Sequence, residues 1–121
     1  ENILKKPSFE FIFAPDTLAE VQFSTIVESV GGIPIVGVID RLVLSQDSAL
    51  IIDFKTNQEV PSSIDEVPLG ILKQMGAYAA SMQKVFPKKN IELGIIWTHS
   101  AELMKIDVNR AVSSIGSIRM T

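Results

Sequence analysis

The stretch from Gly37 to Thr56 constrains this chain most. Val36 to Leu44 and Ala49 to Phe54 are rich in Val, Ile and Leu, and the four residues between them, Ser45-Gln46-Asp47-Ser48, are turn formers. That pattern predicts a β-hairpin. If Leu44 pairs with Ala49, counting back along both strands sets Asp40 opposite Asp53. Opposed residues of an antiparallel pair point to one face with Cβ atoms about 4.5–5.5 Å apart, close enough for two carboxylates to share a cation. Lys55, two residues past Asp53, points to the same face. The neighbours expected on that face, Val38, Leu42 and Ile51, belong in a core, so three charged groups enter an apolar setting where charges are seldom left without partners.

Two accounts of these charges are open on spacing alone. In one, Lys55 forms a structural ion pair with one acid while the other stays solvated. In the other, two carboxylates hold a hard divalent ion that polarises a phosphoryl oxygen and acidifies a water, and the lysine orients that water or offsets developing charge.

The surroundings narrow the choice. Gly37-Val38-Ile39-Asp40-Arg41, Asp53-Phe54-Lys55-Thr56 and Gln74-Met75-Gly76-Ala77-Tyr78 resemble, in order, the three motifs G-x-I-D-R, D-[YF]-K-T and Q-x-x-x-Y of the RecB-type nuclease domain in the PD-(D/E)XK superfamily. Ile95-Ile96-Trp97-Thr98 and the hydrophobic strand after it are similar to the C-terminal end of AddA-type helicase-nuclease subunits. The resemblance covers roughly residues 19 to 106. It implies a restriction-endonuclease-like α/β fold, a mixed sheet of about five strands with one long crossover helix, and Mg²⁺-dependent hydrolysis of DNA phosphodiester bonds, with Mn²⁺ able to substitute. It implies Asp40 and Asp53 as metal ligands and Lys55 as the orienting or stabilising cation. Gln74 would bond near the metal or the lysine, and Tyr78 would contact the DNA backbone. Glu20 lies where such nucleases often carry an acid, which makes it a further possible ligand; a solvated strand-end glutamate is the other reading.

Composition agrees with a domain that works inside something larger. At 121 residues the chain suits one domain able to bury roughly two-thirds of its unfolded surface. A formal charge of −3 argues against a free-standing nucleic-acid binder, because affinity for DNA comes largely from cations that neutralise phosphates. The absence of cysteine excludes disulfides and thiolate metal sites and fits a reducing cytoplasm, and a single histidine, His99, excludes a histidine-rich one. No apolar run is long enough to span a bilayer. With no phosphate-binding loop and no opening methionine, the chain is expected to be a partial nuclease domain, residues 1–121, from a bacterial, cytoplasmic helicase-nuclease that processes broken duplex ends for recombinational repair. ATP would act only through the helicase part, with an AddB-like partner subunit and single-stranded DNA at the site. RecB-like nucleases carry a helical segment before the first strand with a histidine that completes the metal site. This sequence offers none there, so weak activity by itself is expected. Two rival readings stand beside this one: a non-catalytic nuclease-like module that grips DNA or a partner, and a metal-binding α/β domain of unrelated function.

The remaining elements follow in order. Residues 1–18 are expected to be a tail with an edge strand at Phe9 to Phe13, packing on the sheet rather than stacking bases. A strand is expected from Glu20 to Ser29, turned by Gly31-Gly32. A helix is expected from Asp65 to Phe86, capped near Ser63 or Asp65, with Pro68 in its first turn and an apolar stripe of Leu72, Met75, Ala79, Met82 and Phe86. Gln74 and Tyr78, four apart, share a face beside that stripe. A central strand from Ile91 to Thr98 should pair parallel with the Asp53 strand, with Trp97 in the core and His99 in a surface turn before a strand at Glu102 to Ile106. Asp107 should cap a short helix, and residues 107–121 end as helix or tail, fraying from Ser113.

Overall fold

The computed structural model describes residues 17–27, 33–57 and 59–119. The expected edge strand at Phe9 to Phe13, the end at Ser29 of the strand expected from Glu20, the Gly31-Gly32 turn and the last two residues, Met120 and Thr121, lie outside them. Five strands, β1 (Leu18–Val27), β2 (Ile33–Leu44), β3 (Ser48–Lys55), β4 (Asn90–Trp97) and β5 (Glu102–Ile106), form one sheet in sequence order. All neighbours are antiparallel except β3 and β4, which run parallel. The parallel step needs a crossover, and helix α1 (Leu69–Val85) supplies it. Helix α2 (Val108–Arg119) follows β5 and packs on α1. This is the mixed five-stranded α/β sheet expected from the sequence, with a second helix beside the crossover one.

The main core lies between α1 and one face of the sheet. Leu72, Met75, Ala79 and Met82 of α1 meet Ile51 of β3 and Leu93, Ile95 and Trp97 of β4, all buried. The opposite face holds a smaller cluster of Leu50, Ile52, Ile96 and Ala101. β3 and β4 are therefore apolar on both faces, as a parallel pair in mid-sheet requires.

Local chemistry sets the helix ends. A continuous helix from Asp65 does not form: Ile64–Glu66 makes one 3-10 turn, and Val67 leaves the helical region at φ −66°, ψ 127°. Pro68 is the reason, since its ring disfavours the α conformation in the residue before it. Pro68 then caps α1, its carbonyl accepting from the Leu72 N–H at 3.0 Å. Asp107 caps α2 as expected, Oδ2 accepting from the Arg110 N–H at 2.9 Å. α2 runs on to Arg119 instead of fraying at Ser113. Tertiary packing outweighs its weak propensity: a Cβ on Gly76 would stand 2.2 Å from the Ala111 carbonyl oxygen, so the two helix backbones meet where only glycine fits.

Strand β2 changes face once, next to the charged residues. Ile35 packs on Ala80, and Gly37 and Ile39 also lie on the helix side. Leu42 lies in that same core, opposite Ile51. Ile39 and Leu42 differ in parity, so the alternation of side chains breaks between them, at Asp40. β1 breaks in step. Between the pairs Ala19↔Arg41 and Val21↔Ile39 stands Glu20, across from Asp40, with φ +52°. A left-handed residue in mid-strand reverses the side-chain alternation. Val38, expected in the core on the face of Asp40, is for this reason on the far side and 44% exposed. β1 also begins at Leu18, two residues before the expected start.

Candidate active site

The hairpin of β2 and β3 has the expected register. Leu44 pairs with Ala49 and the ladder continues to Arg41↔Ile52. There it stops, at the face change, and a side chain takes over: Asp40 Oδ2 accepts from the Phe54 N–H at 2.8 Å. The β2 kink thus turns Asp40 with Leu42 toward β3 and bolts it to the backbone between Asp53 and Lys55.

Asp53 is 3% exposed. Its Oδ2 lies 2.9 Å from Lys55 Nζ, an ion pair that is the partner of this buried oxygen. Burial raises its pKa from an ordinary 3.8 to about 6; Lys55 pulls it down, and the neighbouring Asp40 carboxylate pushes it further up. The Lys55 carbonyl accepts from both the N–H and the hydroxyl of Thr98, which ties the end of β3 to β4.

α1 completes the cluster. Lys55 Nζ donates to Gln74 Oε1 at 2.8 Å, Gln74 Nε2 donates to the Tyr78 hydroxyl at 2.8 Å, and Tyr78 donates to the Val38 carbonyl at 3.1 Å. Tyr78 is 7% exposed, and its ring meets Phe23 edge-on with centroids 5.7 Å apart. With its hydroxyl spanning two protein partners, Tyr78 ties α1 to β2. Burial and the nearby carboxylates raise its pKa, so it stays a donor.

The structure therefore brings Asp40, Asp53, Lys55, Gln74 and Tyr78 together, and Glu20 only in part. Glu20 sits across from Asp40 along the backbone, but its side chain is exposed. Among the described residues no group of three or more Asp, Glu, His or Cys is arranged to hold a metal. His99 is exposed in the turn between β4 and β5, as expected. Sequence reasoning missed the parts played by Gly37 and Phe23. A Cβ at Gly37 would stand 3.1 Å from Phe23 and 3.3 Å from Tyr78, so this glycine opens the space that lets Tyr78 reach β2. The signal was present: a glycine inside a β-branched strand often marks a close approach.

Two neighbouring carboxylates, one of them buried and held up in pKa by that burial, suit a hard divalent cation, whose ligands are oxygens. The comparisons with known proteins bear on whose site this is. The model of the PD-(D/E)XK nuclease superfamily matches residues 5–113. The chain belongs to the PD-(D/E)XK nuclease superfamily. Its nucleases hydrolyse phosphodiester bonds and generally use divalent metal ions such as Mg²⁺. Among solved structures the chain resembles the crystal structure of SSO0001, with a TM-score of 0.50 and 18% identity, over 98% of this chain and 54% of that one. The likeness supports the fold, and this chain spans about half the length of that protein. No curated protein matches the sequence. Among the described residues no helix is long and apolar enough to cross a membrane.

Proposed function

We propose that this chain is the nuclease domain of an AddA-type helicase-nuclease and cleaves single-stranded DNA with Mg²⁺. The convergence of Asp40, Asp53 and Lys55 on one point of the β2–β3 hairpin carries this reading. Asp40 and Asp53 would hold the cation. Asp40 spends one lone pair on the Phe54 N–H and keeps others, since a carboxylate offers about four acceptor sites. Asp53 offers a buried carboxylate whose charge only Lys55 offsets in part. When bound, the ion supplies Lewis-acid polarisation of the phosphoryl oxygen and a more acidic water.

The protein's own groups do the rest. Lys55, pinned by Asp53 and Gln74, keeps a third N–H donor for a phosphate oxygen or the attacking water, because an ammonium has three. Its charge offsets the negative charge that builds up as the bond breaks. Burial of Asp53 costs stability when it ionises, and a cation removes that cost. A binding-only module has no use for such a carboxylate, which favours catalysis over the gripping-module reading. The three ordered motifs support the AddA-type parent, in which helicase domains deliver the strand to a domain of charge −3 and an AddB-like subunit completes the enzyme. Glu20 is a weaker candidate ligand than the two aspartates.

Cleavage of a labelled single-stranded oligonucleotide by the chain, with Mg²⁺, Mn²⁺ or EDTA, tests this directly. Asp40→Asn, Asp53→Asn and Lys55→Ala are each expected to lower the rate by about 10² or more. Metal-independent cleavage, or full activity in Asp53→Asn, would refute the reading.

A further inference from the structure

Lys55 is the last residue of β3, and the chain leaves the sheet after it. On the β2 side the ladder has already ended at Arg41↔Ile52. On the β4 side Lys55↔Trp97 is the final pair. A residue at a strand end frays unless something beyond the ladder holds it. The Asp40 carboxylate on the Phe54 N–H supplies one such hold, from β2. Thr98 supplies the other, from the end of β4: its N–H and its hydroxyl both donate to the Lys55 carbonyl, at 2.8 and 3.1 Å. A carbonyl oxygen has two lone pairs, so these two donors saturate it and fix the peptide plane that follows Lys55.

Thr98 is itself held by the turn that it opens. The Trp97 carbonyl accepts from the N–H groups of Ser100 and Ala101, at 3.2 and 2.8 Å, and from the Ser100 hydroxyl at 3.4 Å. Ala101, with φ +56°, then reverses the chain into β5. His99 and Ser100 are exposed, whereas Thr98 is half-buried, so Thr98 is the member of this turn that is spent on β3.

We infer that Thr98 is a positioning residue for Lys55, acting on the main chain of the lysine and not on its ammonium. The inference rests on the nuclease reading for its effect on rate, but not for the hold on the strand end. The contacts of Nζ with Asp53 and Gln74 keep the ammonium in place only while the backbone that carries it is fixed. Without the hydroxyl a single donor from Thr98 remains on that carbonyl, and the strand end opens more often. A reacting group displaced by about 1 Å can cost on the order of a hundredfold in rate; a strand end that opens only part of the time costs less.

The test compares Thr98→Val, which keeps the branched shape and removes the hydroxyl, with Thr98→Ser, which keeps the hydroxyl. Thermal melts check folding, and one lost hydrogen bond is expected to lower Tm by less than about 8 °C. Thr98→Ala, which also lacks the hydroxyl, carries the same comparison if Thr98→Val melts lower than that. In Thr98→Val kcat is expected to fall by about threefold to tenfold with KM changed by less than about twofold, the pattern of an interaction that matters in the transition state. Thr98→Ser is expected to stay within about twofold of the wild type. In a Lys55→Ala background Thr98→Val is expected to have almost no further effect, because it acts through the lysine. In the metal-free protein, hydrogen exchange of the amide at position 98, which reports opening of its bond to Lys55, is expected to speed up by about fivefold or more in Thr98→Val and to change little in Thr98→Ser. A rise in KM at unchanged kcat, equal losses in the serine and valine variants, or an undiminished loss in the Lys55→Ala background would overturn the inference. If the wild-type chain cleaves nothing with any metal, the nuclease reading fails, and unchanged exchange at position 98 in Thr98→Val then overturns the hold on the strand end by itself.

Discussion

Replacing Asp53 with Asn should stabilise the metal-free protein at neutral pH while removing its activity. The rise of the Asp53 pKa from 3.8 to about 6, at about 1.4 kcal/mol per tenfold step in proton binding, makes the ionised carboxylate cost about 3 kcal/mol of folding stability. The attraction of Lys55 is already counted in that figure. Below about pH 4 the carboxyl is protonated in both the folded and the unfolded chain, and nothing is lost. Between there and about pH 6 the unfolded chain releases its proton while the folded chain keeps it, so stability falls as pH rises, and above pH 6 the loss is complete. Asparagine fills the same space without the charge. At pH 7.5 in EDTA the variant should therefore melt higher by on the order of 10 °C for a domain of this size, and the two melting curves should merge below about pH 4. Differential scanning calorimetry across pH 3.5–8 measures this. A variant less stable than the wild type at pH 7.5, or a difference that does not change with pH, would refute the claim that burial of an ionised Asp53 is unfavourable.

Other outcomes follow from the backbone. Glu20 adopts φ +52°, a conformation that costs a non-glycine residue roughly 1–2 kcal/mol, so Glu20→Gly is expected to leave stability unchanged or raise it by up to about 1 kcal/mol, and Glu20→Val to lower it by about as much, read from urea midpoints. Gly76→Ala would drive a methyl into the Ala111 backbone and should cost at least about 3 kcal/mol or prevent folding, whereas Gly70→Ala, with nothing within 4 Å, should gain a few tenths to about 1 kcal/mol.

Much of the site was legible in the sequence because it depends on short-range spacing. The turn at Ser45 to Ser48 set the hairpin register, period-two alternation placed Lys55 beside Asp53, and a four-residue step placed Gln74 above Tyr78. The losses came where backbone geometry breaks the period. Nothing in the identity of Glu20 announces a left-handed residue, so period-two counting carries no sign of the change of face at Asp40 and puts Val38 on the core side, whereas it lies on the other. The break before α1 was readable in Val67-Pro68, but the apolar stripe beyond it dominated. α2 is longer than its own residues suggest because it packs closely on α1 at Gly76, thirty-odd residues away in sequence. The tie that Tyr78 makes to β2 depends on the space left by Gly37, a contact between two motifs that spacing within either one cannot reveal.

The claim that two aspartates of one hairpin hold a catalytic cation is tested most directly by locating the ion. Crystals of the chain grown or soaked with Mn²⁺ and measured for anomalous scattering are expected to give one strong peak bridging carboxylate oxygens of Asp40 and Asp53, at about 2.0–2.4 Å, the range for hard divalent ions on oxygen. That peak should vanish in Asp53→Asn. A saturating Mn²⁺ soak that leaves the space between the two carboxylates empty, or a peak on other residues that survives Asp53→Asn, would contradict it.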